Sequence, residues 1–261
     1  MEFGLSGKTA LVLGGGGGIG RAVATTLARE GARVAVADVS PEALDQTVAE
    51  IRSLGGTALG ILWDLGDLAA IDAHVTALEG ALGPVDVLFN NTGGPPPTPV
   101  AGQDPAQWAR FFQSMVLSVI AITDRVLPGM KARGWGRIIT STSSGVLAPI
   151  PNLGLSNALR VALVGWSKTL AREVARDGVT ANIMVPGRIG TGRTRFLDEQ
   201  KAKRENKAVE TVTAESTAAI PMGRYGEPQE YANVAAFLAS TAASYVTGST
   251  IRVDGGYVAG V

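Results

Sequence analysis

The sequence predicts an α/β chain: one doubly wound domain over residues 1–261, with a seven-stranded parallel sheet flanked by helices on both faces. Three observations carry that reading. Short runs rich in Val, Ile and Leu alternate with longer stretches of helical period, the pattern of repeated strand–helix–strand units. Gly31, Gly55, Gly83 and Gly178 fall where a helix should stop before the next strand, the usual place for a left-handed C-terminal cap. A glycine-rich turn, LGGGGGIG at 13–20, joins the first strand to the first helix.

The strands follow in order as TALVL (9–13), RVAVA (33–37), ALGILW (58–63), VDVLF (85–89), GRIITS (136–141), TANIMV (180–185) and STIRV (249–253). They are almost continuously apolar, as expected of strands covered on both faces. The stretches between the first six are long enough for crossover helices. PPPTP at 95–99 reads as a rigid loop. Residues 186–220 break the rhythm, because they hold no strand pattern and their charged middle predicts one or two exposed helices. An insertion at the carboxyl end of a strand suggests a substrate loop or lid, the alternative being a plain surface excursion.

Apolar residues make up 46% and charged residues 18%, enough for a sizeable core and little sign of disorder. Lys plus Arg equals Asp plus Glu at 23 each, which argues against nucleic acid or an anionic membrane as the main partner and makes a small molecule the default. With no cysteine and one histidine, His74, disulfides and thiolate sites are excluded and a zinc site cannot be built. The N-terminal apolar run is too short to span a bilayer and lacks the features of a secretory signal, so the expected location is the cytoplasm.

A glycine-rich turn from strand into helix lets backbone amides approach a phosphate at the positive helix end. Two registers fit: Gly15, Gly17 and Gly20, or the wider Gly14, Gly18 and Gly20. Asp38, at the end of VAVAD, is placed to accept hydrogen bonds from a ribose diol and to repel a 2′-phosphate, which favours NAD(H) over NADP(H). Otherwise it caps the helix entered at SPEALDQ, where Ser40 before Pro41 is the better cap. Asp64 either contacts the adenine or caps a helix starting near Asp67.

These pieces, with NNTG at 90–93, GRIITSTS at 136–143, PG at 186–187, IPMGRYGEPQE at 220–230 and SYVTGSTIRVDGG at 244–256, resemble the classical short-chain dehydrogenases/reductases, nearest the 3-oxoacyl carrier-protein reductases, over almost the whole length. The resemblance implies a Rossmann fold. It puts Gly14, Gly18, Ile19 and Gly20 around a pyrophosphate, Asn90 and Gly93 at the adenosine ribose and against the sheet, and Pro186 and Gly187 at the cofactor. It also implies a homotetramer, or a dimer, meeting through helices over 104–132 and 154–175 and through the last strand.

The family's catalytic set is Asn, Ser, Tyr and Lys. Counted from the flanking motifs, these positions hold Met115, Ser143, Ser156 and Arg160, and no Tyr-x-x-x-Lys occurs anywhere in the chain. The departure resembles a divergent branch in which NNxGGPPP accompanies SNxxR. An aliphatic hydroxyl is far less acidic than tyrosine, and arginine stays protonated, so this pair cannot shuttle protons as tyrosine and lysine do. It can act electrostatically: Arg160 offers a fixed cation with up to five donors, and Ser143 and Ser156 offer two hydroxyls to a substrate oxygen.

The leading expectation is an NAD(P)(H)-dependent oxidoreductase working on a carbonyl or alcohol with a non-standard donor, such as water held by Ser143 and Arg160. The alternatives are a nucleotide-binding protein without redox activity, acting as a sensor or non-catalytic partner subunit, and a non-redox lyase or dehalogenase-like enzyme. Arg188, Arg193 and Arg195 hint at an anionic substrate, or else are loop charges balanced by Asp198 and Glu199. His74 is expected to be surface or half-buried, and Trp63, Trp108, Trp135 and Trp166 to serve packing.

Overall fold

The structure, a computed structural model, describes residues 3–260; of the expected domain, Met1, Glu2 and Val261 lie outside the described residues. Seven parallel strands run in the order β3-β2-β1-β4-β5-β6-β7, with β1 Thr9–Leu13, β2 Arg33–Asp38, β3 Thr57–Leu62, β4 Val87–Asn90, β5 Gly136–Ser141, β6 Val179–Pro186 and β7 Thr250–Val253. Strand alternation divides two cores. Ala10, Val12, Val34 and Val36 face α1 (Gly18–Arg29), α2 (Pro41–Ser53) and α9 (Pro228–Ala239). Leu11, Leu13, Ala35 and Ala37 face α3 (Ile71–Leu82), α5 (Ser118–Ala132) and α6 (Gly154–Val174). Successive residues point to opposite faces of a strand, so a strand read as uniformly apolar feeds both layers at once.

The seven expected strands are all present, with shifts at their ends. Trp63 falls outside β3, and β4 starts two residues late, after Asp86, whose carboxylate accepts from the Thr9 amide at 3.1 Å. The uniform burial expected of every strand fails at the two sheet edges: β3 alternates, with Leu62 57% exposed, and no residue of β7 is buried. The four expected helix-stop glycines all have positive φ, from 73° to 89°. Gly83 is not a left-handed helical cap, however, because its ψ of 171° carries the chain straight out toward β4.

The helix expected over 104–132 is broken in register. It runs as α4 (Pro105–Phe112), a π-helical turn (Gln113–Leu117) and α5, and the π turn carries Met115. Such a turn inserts an extra residue and recurs at functional sites. The irregular segment holds two helices, α7 (Gly192–Glu205) and α8 (Val209–Ala218). Its start docks on the rest of the fold where the Gly190 amide donates to the Gly226 carbonyl at 2.8 Å. The one helical run apolar and long enough to cross a membrane is 105–132 among the described residues; it contributes to the core through Met115, Val119, Ile122 and Val126.

Candidate active site

Strand order reverses between β1 and β4, and a cavity of about 760 Å³ opens above their carboxyl ends. That is where ligands bind in open parallel sheets. The glycine turn forms one wall. Gly14 and Gly18 have φ of +59° and +51°, and a β-carbon on Gly20 would lie 1.9 Å from the Gly14 carbonyl oxygen. A β-carbon on Gly15 would press on Val36 at 2.7 Å and one on Gly17 would meet nothing within 4 Å; positive φ falls at Gly14 and Gly18, which favours the wider register 14, 18, 20. Gly17 gives α1 no side-chain cap, leaving amide donors at the positive helix end facing the cavity with Gly18 and Ile19.

Asp38 reaches the same cavity from the end of β2. Its carboxylate accepts from the Gly16 amide at 2.8 Å and the Ser40 amide at 3.1 Å, which ties it to the glycine turn. The α2 cap is Ser40, whose Oγ accepts from the Ala43 amide, so Asp38 is not the cap. Asp64 also lines the cavity and folds its own turn by accepting from Gly66 at 2.8 Å, while Asp67 caps the next helical turn. Asn90 braces the sheet as expected but does not take the expected place at the cavity. It is fully buried and donates to Thr123 and Thr140 at 3.3 and 3.2 Å, bracing β4 against β5 and α5 without reaching the cavity. The wall beside Gly93 is instead Asn91, whose amide donates to the Gly14 carbonyl at 3.2 Å. Gly20 likewise packs beneath the turn and does not line the cavity.

Ser143, Ser156, Arg160 and Met115 come together on the opposite side, with Pro186 and Gly187 at the end of β6. Ser143 Oγ caps a short helical turn by accepting from Gly145 at 3.1 Å. Ser156 is 7% exposed, makes no hydrogen bond among the described residues and faces the cavity. Arg160, one helical turn later, is 8% exposed and donates to the carbonyls of Ser141, Thr92 and Gly93 at 3.4, 3.2 and 3.0 Å. It therefore links the ends of β5 and β4 as well as facing a ligand. Burial, and then the charge of Arg193, pull its pKa down to about 10, so at neutral pH it remains a cation. Met115 packs against Val116, Val119, Leu159 and Leu163 and makes that wall apolar.

The three arginines of the irregular segment part company. Arg188 pairs with the buried Asp198 at 2.8 Å, and Asp198 also accepts from Tyr225 at 2.6 Å, so this arginine anchors the segment. Arg195 is 81% exposed, pairs with Glu199 one turn on and does not line the cavity. Arg188 and Arg193 both line the cavity, and Arg193, which has no acidic partner among the described residues, donates to the Pro95 carbonyl at 2.7 Å. The sequence reading missed Asn91, although it stands beside Asn90 in the same motif. It also missed a fully buried hydroxyl pair, Ser141 and Tyr231 at 2.9 Å, in which burial raises the tyrosine's pKa above its ordinary range. Tyr231 lies on α9, on the far side of the sheet, where no local pattern links it to the site. His74 is half-buried, as expected, with its ring 4.7 Å from that of Trp63, and Trp135 sits between Lys8 and Arg137.

Comparison with known proteins places this architecture. The family model described as enoyl-(acyl carrier protein) reductase matches residues 15–258. The 3-oxoacyl-[acyl-carrier-protein] reductase FabG of Escherichia coli K12 is 37% identical over 259 residues, 98% of each chain. The crystal structure of L-sorbose reductase from Gluconobacter frateurii, complexed with NADPH and L-sorbose, superposes with a TM-score of 0.94 at 29% identity over the full length of both chains. YwfH, an NADPH-dependent reductase of bacilysin biosynthesis, superposes with a TM-score of 0.92 at 27% identity, covering 97% of this chain and 99% of its own.

Proposed function

The chain belongs to the short-chain dehydrogenase/reductase family, and we propose that it is an NAD(P)(H)-dependent oxidoreductase acting at a carbonyl or alcohol centre without a tyrosine acid or a lysine partner. One observation carries the reading: Ser156 and Arg160, which replace that pair, line the same cavity as the glycine turn. The residues present fit a dinucleotide, because the turn leaves amides free at the α1 terminus, Gly14 and Gly20 leave no room for a β-carbon, and Gly14 and Gly18 hold positive φ. When bound, the nicotinamide supplies the hydride.

The chain's own residues answer for the charge that develops on the substrate oxygen. Ser143 and Ser156 donate hydrogen bonds to it, and the Arg160 cation stabilises it in a cavity walled on one side by Met115. Among the described residues, the chain places no side chain that titrates near neutrality at that oxygen, so the proton comes from a water held by Ser143 and Arg160, and the hydroxide left behind is neutralised by exchange with bulk solvent. A tuned general acid is worth about 10²- to 10⁴-fold, so turnover is expected to be slow.

The two solved reductases above carry NADPH dependence or NADPH in their descriptions. For this chain we favour NAD(H), because the Asp38 carboxylate, fixed by the Gly16 and Ser40 amides, would face a 2′-phosphate with like charge. We further assign residues 186–220 as the substrate loop, supported by Arg193 reaching across the cavity mouth. A cytoplasmic homotetramer or dimer completes the proposal. The exposed apolar side chains Phe112, Leu117 and Val161 on the helical layer and the open edge of β7 support the assembly.

The experiment is direct binding of NADH and NADPH, followed by NADH oxidation against a broad carbonyl panel. Binding with oxidation by some carbonyl supports the proposal. Tight binding with no oxidation across the panel moves the protein to a nucleotide-binding role, and no binding of either nucleotide defeats both readings.

A further inference from the structure

Two guanidiniums meet in the cavity with no acid between them. Arg160 projects from α6 and Arg193 from α7, and their Nη2 atoms lie 3.7 and 3.4 Å from one point, the position a β-carbon would take on Gly94. Cations this close repel, and more strongly where protein has displaced water. Arg188 has Asp198, Arg21 has Glu50 and Arg224 has Glu230. Arg137, also buried without an ion pair among the described residues, is held singly by the Ser240, Gly136 and Gly178 carbonyls and stacks on Trp135 away from the cavity; the cavity differs in bringing two such cations together. Among the described residues, neither Arg160 nor Arg193 forms an ion pair, and both have their pKa lowered by burial.

Their contacts within the chain are to carbonyl oxygens. Arg160 uses three N–H groups on Ser141, Thr92 and Gly93, and Arg193 uses one on Pro95. A guanidinium carries five N–H donors; the two on Arg160 Nη2 are taken by Thr92 and Gly93, so its unused donors are on Nε and Nη1, while Arg193 keeps four. Thr92 Oγ1, in the loop that Arg160 holds, is buried without a hydrogen-bond partner among the described residues. Paired positive charge, spare forked donors and an unpartnered hydroxyl are what a planar oxyanion requires. Ser156 lies one helical turn before Arg160, which puts the pair beside the hydroxyls assigned to the substrate oxygen.

We infer that Arg160 and Arg193 form a subsite for a carboxylate on the substrate, so that the enzyme takes oxo acids or hydroxy acids in preference to neutral carbonyl compounds. The subsite rests on the reductase reading of the cavity. A cofactor phosphate offers related oxyanion chemistry, and the variants below separate the two sources. Arg193 has a second part in this subsite: its bond to Pro95 lays α7 against the loop after β4, so anion capture and loop docking share one side chain.

The test uses NADH-loaded protein and matched probes, four- to six-carbon 2-oxo and 3-oxo acids with their uncharged amides, with binding followed by calorimetry. The acids are expected to bind about tenfold or more tightly than the amides, as one charge-assisted hydrogen bond provides. Arg193→Gln, which keeps a donor for Pro95, should abolish that preference while leaving NADH affinity within about twofold; Arg193→Lys, which restores charge without the fork, should recover part of it. Amides binding as well as acids, no binding of either, or a preference that survives Arg193→Gln would overturn the subsite. An equal loss of NADH affinity in Arg193→Gln would overturn it too, by assigning the pair to the cofactor. If wild-type protein fails to bind NADH, the reductase reading falls separately, and the acid–amide comparison on unloaded protein still decides the subsite.

Discussion

The two walls of the cavity are built in different ways. The wall formed by β1, α1 and Asp38 is shaped by backbone: Gly14 and Gly20 leave no room for a β-carbon, Gly18 takes a positive φ, and its donors are peptide amides. The wall formed by β5, α6 and the π turn is shaped by side chains held on regular helix and strand. Backbone walls cannot change chemistry without changing the fold. Side-chain walls can exchange a proton relay for a fixed cation while every strand keeps its place.

The largest effect should come from attacking the backbone wall. Gly20→Val drives a branched side chain into the Gly14 carbonyl 1.9 Å from its β-carbon, and either soluble folding or measurable NADH binding should be lost. Gly17→Ala, with open space and an extended φ of −157°, should leave both intact. Equal damage from the two would show that the wall is not a glycine-dictated cradle.

Next comes the side-chain wall. Arg160→Ala frees three carbonyls, and losing a donor to buried groups costs about 1–3 kcal/mol. Removing a preorganised donor or charge beside a developing oxyanion lowers the rate by about 10²- to 10³-fold. Kinetics and a melting curve that match wild type would reduce Arg160 to a bystander. A smaller change is expected of Asp38→Ala, which removes the carboxylate proposed to meet the ribose and should shift the NADH-to-NADPH affinity ratio toward NADPH by about tenfold. An unchanged ratio would take cofactor choice away from Asp38. The smallest belongs to Arg195→Ala, whose exposed i,i+4 pair with Glu199 is of the kind that contributes little, so melting temperature and turnover should both be unmoved.

The same contrast explains what the sequence reveals. Sheet, helices, glycine turn and the Ser143, Ser156, Arg160 grouping are legible because each rests on local periodicity or on a motif of fixed spacing. Asn90 misled because a four-residue motif cannot say which of two adjacent asparagines points into the core; the strand's alternation decides it, and that alternation sends Asn90 to Thr123 and Asn91 to Gly14. The three loop arginines look equivalent in sequence, yet only three-dimensional packing assigns Arg188 to Asp198, Arg195 to solvent and Arg193 to the cavity. The π turn under Met115 has no Gly or Pro to announce it. The Ser141–Tyr231 pair joins residues 90 positions apart through the middle of the sheet, beyond any local pattern.

Hydride transfer without a tyrosine acid is the central claim, and the pH dependence of single-turnover NADH oxidation tests it most directly. Arg160 is charged below a pKa of about 10 and loses its proton as pH rises through that value, while burial keeps the Tyr231 phenol protonated beyond its ordinary range. Neither group titrates near neutrality, so the transfer rate should be level from about pH 6 to 9 and fall only as Arg160 is neutralised. A rate that instead follows one ionisation inside the level window, or NADH that stays bound and unoxidised at every pH, would contradict the account.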